Sequence, residues 1–119
     1  MQRVLLKSKI HRAIVTRTDR DYEGSCSIDP ELLRAADIVS GEQLHVVNVT
    51  NGSRAITYAI EGAPGEIGLN GAMAQLGSPG DTVILIAYAS VSDEEVTAFR
   101  PAIVHVDSGN RIRERAVVG

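Results

Sequence analysis

The chain has 119 residues, a formal net charge of −3, aromatic side chains at only 3% of positions and no Trp. That length fits a single domain, residues 1–119, with a core of Val, Ile, Leu and Ala, and the acidic balance excludes the basic surface of a general nucleic-acid binder. The lone cysteine, Cys26, rules out an internal disulfide, and no stretch approaches the ~20 apolar residues of a membrane span, so a cytoplasmic protein without membrane contact is expected.

Along the chain, residues 5–16 mix apolar and charged side chains without helical spacing. They end in the β-branched Ile14-Val15-Thr16, which predicts a strand. Asp29-Pro30 then offers a cap followed by proline at the first helical position, opening a short helix through Glu31-Leu32-Leu33-Arg34-Ala35-Ala36. Residues 44–50 and 54–60 read as strands joined by Asn51-Gly52, a hairpin signal because both residues tolerate positive φ. Residues 82–89 are almost continuously apolar, the pattern of a strand buried on both faces. Ser92 and Glu95 form a capping box that starts a second short helix over 93–99, stopped by Pro101. The polar tail from Asp107 onward is expected to fray. Short strands with two small helices predict a mainly β domain, closed as a barrel.

Chemistry concentrates at Tyr22-Glu23-Gly24-Ser25-Cys26, between the first strand and the first helix. On composition alone this is a surface turn. A Gly-Ser bond has a further option, however. The serine hydroxyl attacks the preceding carbonyl and moves the chain from amide to ester. Elimination from the ester leaves dehydroalanine, which hydrolyses to a pyruvoyl group and ammonia. Glycine before the bond is expected to admit a strained backbone, worth about 1–3 kcal/mol, and to leave the carbonyl open to attack.

Around that bond the residues follow a known order. Lys7-Ser8-Lys9-Ile10-His11-Arg12, Tyr22-Glu23-Gly24-Ser25, Asn48-Val49-Thr50-Asn51-Gly52 with Arg54, Thr57-Tyr58-Ala59-Ile60, Asn70-Gly71-Ala72 and Gly80-Asp81 occur in sequence. In this the chain resembles the bacterial pyruvoyl-dependent aspartate decarboxylases over nearly its whole length. The resemblance implies a double-psi β-barrel with two short helices, assembled as a homotetramer with active sites between subunits. It implies self-cleavage of the zymogen into a β chain, 1–24, and an α chain, 25–119, headed by a pyruvoyl group derived from Ser25, with no metal. The implied reaction is decarboxylation of L-aspartate to β-alanine and CO2 for pantothenate biosynthesis. In it the substrate amine forms a Schiff base with the pyruvoyl ketone, which serves as the electron sink.

The same resemblance assigns roles residue by residue. Arg54 is implied as the carboxylate ligand, which suits the two parallel hydrogen bonds of a guanidinium; by itself it reads as a solvated charge beside a turn. Tyr58 is implied as the proton donor, a phenol being protonated at neutral pH; its plain reading is a packing tyrosine. Thr57 is implied in polarising the Gly24 carbonyl during cleavage and in lining the substrate site. Lys9, contributed across a subunit boundary, and Asn70, Gly71 and Ala72 complete the implied substrate site. Alternation places Arg54 and Tyr58 on one strand face and Thr57 on the other. A bulge, a strong twist or a pocket entered from two sides is therefore expected over these residues. His11 reads as structural or electrostatic, and Cys26 as a small buried residue with no base beside it.

The sequence departs from the family pattern at Met73, which adds bulk near the expected pocket, at Val47, where Trp is common, and at Asp21, where His is common. Two other functions compete: a non-enzymatic double-psi barrel binding module, and a hydrolase using Ser25 or Cys26 directly.

Overall fold

The computed structural model describes residues 1–117. Nine strands and three short helical segments follow in the order β1 (Gln2–Ile14), β2 (Arg17–Asp19), β3 (Ser25–Ile28), α1 (Pro30–Ala35), β4 (Gln43–Asn48), β5 (Arg54–Glu61), β6 (Ile67–Asn70), a 3-10 helix (Gly71–Leu76), β7 (Thr82–Ser92), α2 (Asp93–Val96), β8 (Ala102–Val106) and β9 (Ile112–Val117). The strands pair in the order β2-β6-β3-β5-β4-β7-β1-β8-β9. Three pairings, β1 with β8, β2 with β6 and β3 with β5, are parallel and the rest antiparallel. The domain is mainly β, in keeping with the expected double-psi β-barrel.

The seam is made by two residues between β1 and β2. The Val15 N–H donates to the Asp81 carbonyl at 2.9 Å, the Val15 carbonyl accepts from Gly80 at 2.8 Å, and the Thr16 N–H donates to the Ile67 carbonyl at 2.8 Å. This segment therefore touches the start of β7 on one side and the start of β6 on the other. Inside, Ile10, Val15, Ile28, Leu32, Leu44, Ile67, Leu69, Val83, Leu85 and Val104 are fully buried. Aliphatic side chains, with Cys26 and Met73, fill the core without any aromatic ring.

Both helix caps form where expected. The Asp29 carboxylate accepts the Glu31 N–H at 2.8 Å, and Pro30 opens α1. The Ser92/Glu95 capping box opens α2, which as a regular helix ends at Val96 rather than running to Phe99.

Three local expectations need correction. The β4-β5 hairpin exists, but its loop spans residues 49–52, closed by the Asn48 N–H on the Ser53 carbonyl at 2.8 Å. Only Gly52 takes positive φ there, because the Asn48 carboxamide captures the Thr50 and Asn51 N–H groups and rewinds the turn. Strand β7 is fully buried on one face and only in part on the other, where Ile86 is buried. Val83, Leu85 and Ala87 point inward with no exposure, while Tyr88 on the outer face is 38% exposed and Ile84 half-buried. Through Val117 the tail does not fray: β8 and β9 form an antiparallel hairpin.

Asn110, 1% exposed, anchors that hairpin. Its Oδ1 accepts the Ile14 N–H at 2.7 Å, and its Nδ2 donates to the Ile14 carbonyl at 2.8 Å and the Gly65 carbonyl at 3.0 Å. One polar side chain thus continues the β1 ladder past its last strand partner, a long-range role that a polar stretch does not advertise. Replacing it strands three backbone groups in a place with little water. Asn110→Ala is expected to destabilise the fold by about 2–4 kcal/mol, read as a lower midpoint in urea denaturation.

Candidate active site

The Gly24-Ser25 bond lies where a loop enters β3. Ser25 stands opposite Asn70 in the antiparallel β3-β6 pair, and Cys26 pairs with Ala59 on parallel β5. Alternation along β3 turns Ser25 and Ser27 to one side, where the fully buried Asn70 meets both. The Asn70 Nδ2 donates to Ser25 Oγ at 3.0 Å and to Ser27 Oγ at 2.7 Å, while the Ser25 hydroxyl donates to the Glu23 carbonyl at 3.0 Å. The serine oxygen is thus held from two sides beside its own upstream peptide bond. The Asn70 Oδ1 is buried with no hydrogen-bond partner among the described residues.

Glycine matters here one strand away from where it was expected. Gly24 does not have positive φ, and a Cβ on it would meet nothing within 4 Å. The side of the Gly24-Ser25 bond is open, but left-handed strain at Gly24 is not present. The constrained residue is Gly71, at φ +66°, where a Cβ would fall 2.6 Å from the Gly24 Cα and 2.8 Å from its nitrogen. Two backbones pack in direct contact, which only glycine permits at that position.

Gly24 opens onto a depression of about 580 Å³ that Thr57, Tyr58, Ala72 and Met73 also line. The 3-10 helix on its far wall is fastened by the β4-β5 loop. The Leu76 carbonyl accepts from Asn48 Nδ2 at 3.1 Å, Asn51 Nδ2 at 2.9 Å and Ser53 Oγ at 3.0 Å. Asp81 ties the same corner through Asn48 Nδ2 at 3.0 Å and the Ser78 N–H at 2.9 Å, and these two bonds hold its carboxyl below the usual carboxylate range. The Asn-rich turn is therefore a clamp on one wall of the site.

Over Arg54 to Tyr58, β5 contains no bulge. Its register with β4 runs unbroken from Val47↔Arg54 to Gln43↔Tyr58. Thr57 and Tyr58 nevertheless border the same space because β5 has no second strand partner there; pairing with β3 begins only at Ala59. The depression lies along this free edge, so side chains from both faces reach it. Of the alternatives the alternation left open, the bulge is absent, and residues from both faces of β5 line one depression.

Two expected site residues stand apart from the depression. Arg54 turns across the outer sheet face, where its Nη2 lies 3.2 Å from His45 Nδ1 and 3.4 Å from the Tyr88 hydroxyl. Lys9 sits on the same face in the register row Lys9-Ile86-His45-Ile56. Three strand spacings put it roughly 14 Å from Ile56. Val47 is beside Arg54 on that face, away from the depression, whereas Met73 is in it. His11 is also outward, edge-to-face with His105 at 5.3 Å. Burial, with His105, Lys9 and Arg12 nearby, lowers its pKa.

Cys26 is fully buried, and burial pushes its thiol up to about 12, so it is a packing residue rather than a thiolate. The Ser25 hydroxyl is bonded to a carbonyl and a carboxamide and to no base, which removes the support for a hydrolase. Among the described residues no three His, Cys, Asp or Glu side chains gather into a metal-holding group, and no helix is long and apolar enough to cross a membrane. Ser27, His45 and Tyr88 escaped the sequence reading. Ser27 alone left a trace, its i+2 spacing from Ser25 on a short strand.

The Gly24–Gly71 contact yields a direct test. Gly71→Ala forces a methyl group into the Gly24 backbone. It is expected to cost about 2 kcal/mol or more in chemical denaturation. It should also stop scission at Gly24-Ser25, as followed by intact mass.

The aspartate decarboxylase family model matches residues 1–113. An aspartate 1-decarboxylase of Mycolicibacterium smegmatis is 55% identical over 114 residues, covering 94% of this chain and 84% of that protein. Another from Myxococcus xanthus is 54% identical over 114 residues, covering 94% of this chain and 88% of that protein. A match of this extent, laid on a barrel that seats Ser25 against Asn70 and Gly24 against Gly71, makes the chain a member of the aspartate decarboxylase family.

Proposed function

We propose that this protein is a zymogen that cuts itself between Gly24 and Ser25 and then decarboxylates L-aspartate to β-alanine and CO2, the step that supplies β-alanine for pantothenate biosynthesis. The observation that carries this reading is the Ser25 hydroxyl, buried and held by Asn70 beside an unobstructed Gly24, in a chain of this family. In the intact chain Asn70 fixes the nucleophilic oxygen, and the Glu23 carbonyl accepts its hydrogen. Thr57, on the wall of the same depression, is the hydroxyl assigned to polarise the Gly24 carbonyl as charge develops on it.

The residues present fit a pyruvoyl group at position 25. The site is buried, the Asn70 Nδ2 is a donor already aimed at the oxygen of residue 25, as the carbonyl oxygens of a pyruvoyl group require, and the space before Gly24 is open. When formed, that group supplies the electron sink for decarboxylation. The chain's own residues do the rest. Arg54 binds the carboxylate that is retained, Tyr58 holds a proton at its phenol oxygen for delivery to the carbon that loses CO2, and Asn70, Gly71 and Ala72 form the wall of the site. The 1–24 segment stays in place after scission because β1 keeps its ladders to β7 and β8.

The proposed assembly is a homotetramer with sites between subunits. The outer face of β5, β4, β7, β1 and β8 carries Ile56, Val47, Ile84, Ile86, Leu6 and Ile103 in adjoining register rows. Ile56 is 60% exposed in the protomer. A second copy on this face would cover the apolar residues and bring Lys9 to the depression of a neighbour, which its own protomer's geometry does not allow.

Intact-mass measurement of the purified protein tests scission. The expected result is two fragments divided after Gly24, the larger one lighter than a serine-headed chain by the mass of ammonia. Ser25→Ala is expected to remain one chain and to release no CO2 from aspartate; decarboxylation by that variant would overturn the mechanism. An uncut wild-type chain after long incubation would return the protein to a binding module.

Cleavage and turnover are expected to separate. Thr57→Val should fold but remain uncut. Tyr58→Phe should be cut normally and lose turnover by about 10²- to 10⁴-fold, measured as CO2 release. Normal processing of Thr57→Val would remove Thr57 from the cutting step.

A further inference from the structure

We infer that His45 and Tyr88 are positioning residues that hold Arg54 in a parked orientation, from which a substrate carboxylate has to displace it. This rests on the reading of Arg54 as the carboxylate ligand. A guanidinium is always charged and has no acceptor, so His45 Nδ1 and the Tyr88 oxygen both accept from Arg54 Nη2, at 3.2 Å and 3.4 Å. His45 therefore carries its hydrogen on Nε2. The two acceptors also brace each other, with their rings edge-to-face at 4.9 Å and 71°. They project from adjacent strands, β4 and β7, whose register is fixed by His45↔Ile86.

The hydrogen count gives this contact its consequence. A guanidinium can grip a carboxylate through either of two edges, Nη1 with Nη2 or Nε with Nη2, and both edges need a hydrogen of Nη2. With its two hydrogens turned to His45 and Tyr88, Nη2 serves neither edge. One of the neutral acceptors must let go before bidentate binding begins. No carboxylate competes for that position. Among the described residues Arg54 is in no salt bridge. Glu42, which shares a cleft of about 440 Å³ with His45 and Tyr88, is already bound by Lys7 at 2.8 Å and by the Val39 N–H at 3.1 Å. Arg54 is thus held ready by two uncharged acceptors, and the exchange favours an incoming carboxylate because a bidentate bond between two opposite charges is stronger than the charge-to-neutral bonds it replaces. The apparent affinity is lowered by the fraction of protein in which Arg54 is parked.

The experiment uses the processed enzyme, with cleavage of every variant checked by intact mass. The readouts are the calorimetric Kd for succinate, a dicarboxylate that has no amine to react, and KM for L-aspartate. His45→Phe keeps the ring and removes the acceptor, and Tyr88→Phe removes the hydroxyl. Each is expected to tighten succinate binding and lower KM by about two- to tenfold, with kcat moving less. His45→Gln, which restores a side-chain acceptor, is expected to return both values toward wild type. Unchanged or weaker succinate binding in both phenylalanine variants, with binding lost in Arg54→Ala, overturns the parking role and leaves Arg54 as the ligand. Wild-type succinate binding by Arg54→Ala overturns the role of Arg54 and the parking role with it.

Discussion

The site depends on one close approach, the backbone of Gly71 against the backbone of Gly24. A methyl group at Gly71 would come within 2.6 Å of Gly24, so the strand that delivers Asn70 and the loop that delivers Gly24 meet with no side chain between them. That contact fixes the β3-β6 register at Ser25↔Asn70. It places the Asn70 carboxamide across Ser25 and Ser27 and leaves the other side of Gly24 facing open space. Much of the remaining architecture supports this approach. The Val15-Thr16 seam holds β6 to the rest of the barrel, and the Asn48-Asn51-Ser53 clamp holds the 3-10 helix that begins at Gly71.

The outer sheet face is arranged differently. Its rows alternate aliphatic side chains with Lys9, His45, Arg54 and Tyr88. His45, Arg54 and Tyr88 satisfy one another sideways, while Ile56 remains exposed and Ile84 half-buried. Such a face is uneconomical in an isolated protomer and reasonable in an assembly, where the apolar rows would be covered and the cations turned toward a neighbour's site. Within the proposed function, the protomer thus holds the machinery for cutting, while the carboxylate-binding groups lie where a second copy would complete them. This division follows from strand alternation, which sends Thr57 inward and Arg54 outward from one unbulged strand.

Features encoded over a few neighbouring residues were legible in the sequence. The Asp29-Pro30 cap, the Ser92/Glu95 box and the β4-β5 hairpin all form, because each is satisfied by hydrogen bonds a few positions apart. The ordered motifs led to the family, and Gly24, Ser25, Asn70 and Gly71 do meet. The misreadings involve partners remote along the chain. A polar tail becomes a strand pair because Asn110 reaches residues 96 and 45 positions away. The apolar run at β7 predicts two-sided burial, whereas its outer face leaves Tyr88 exposed and Ile84 half-buried in the protomer. The dipeptide suggests strain at Gly24, yet the crowded glycine is Gly71, since crowding arises where two remote backbone segments meet and not within one dipeptide.

Residue order alone specifies an aliphatic, mainly β barrel with short capped helices, and it singles out the Gly-Ser bond on which the proposed function rests. Those properties are set by composition, by strand period and by contacts between near neighbours. Only the tertiary structure decided that Asn70 holds Ser25, that Gly71 rather than Gly24 is the conformationally required glycine, and that Arg54 rests on His45 and Tyr88 instead of facing the depression. Each of these is a distance between strands, and strand pairing is fixed by the whole barrel closing at once.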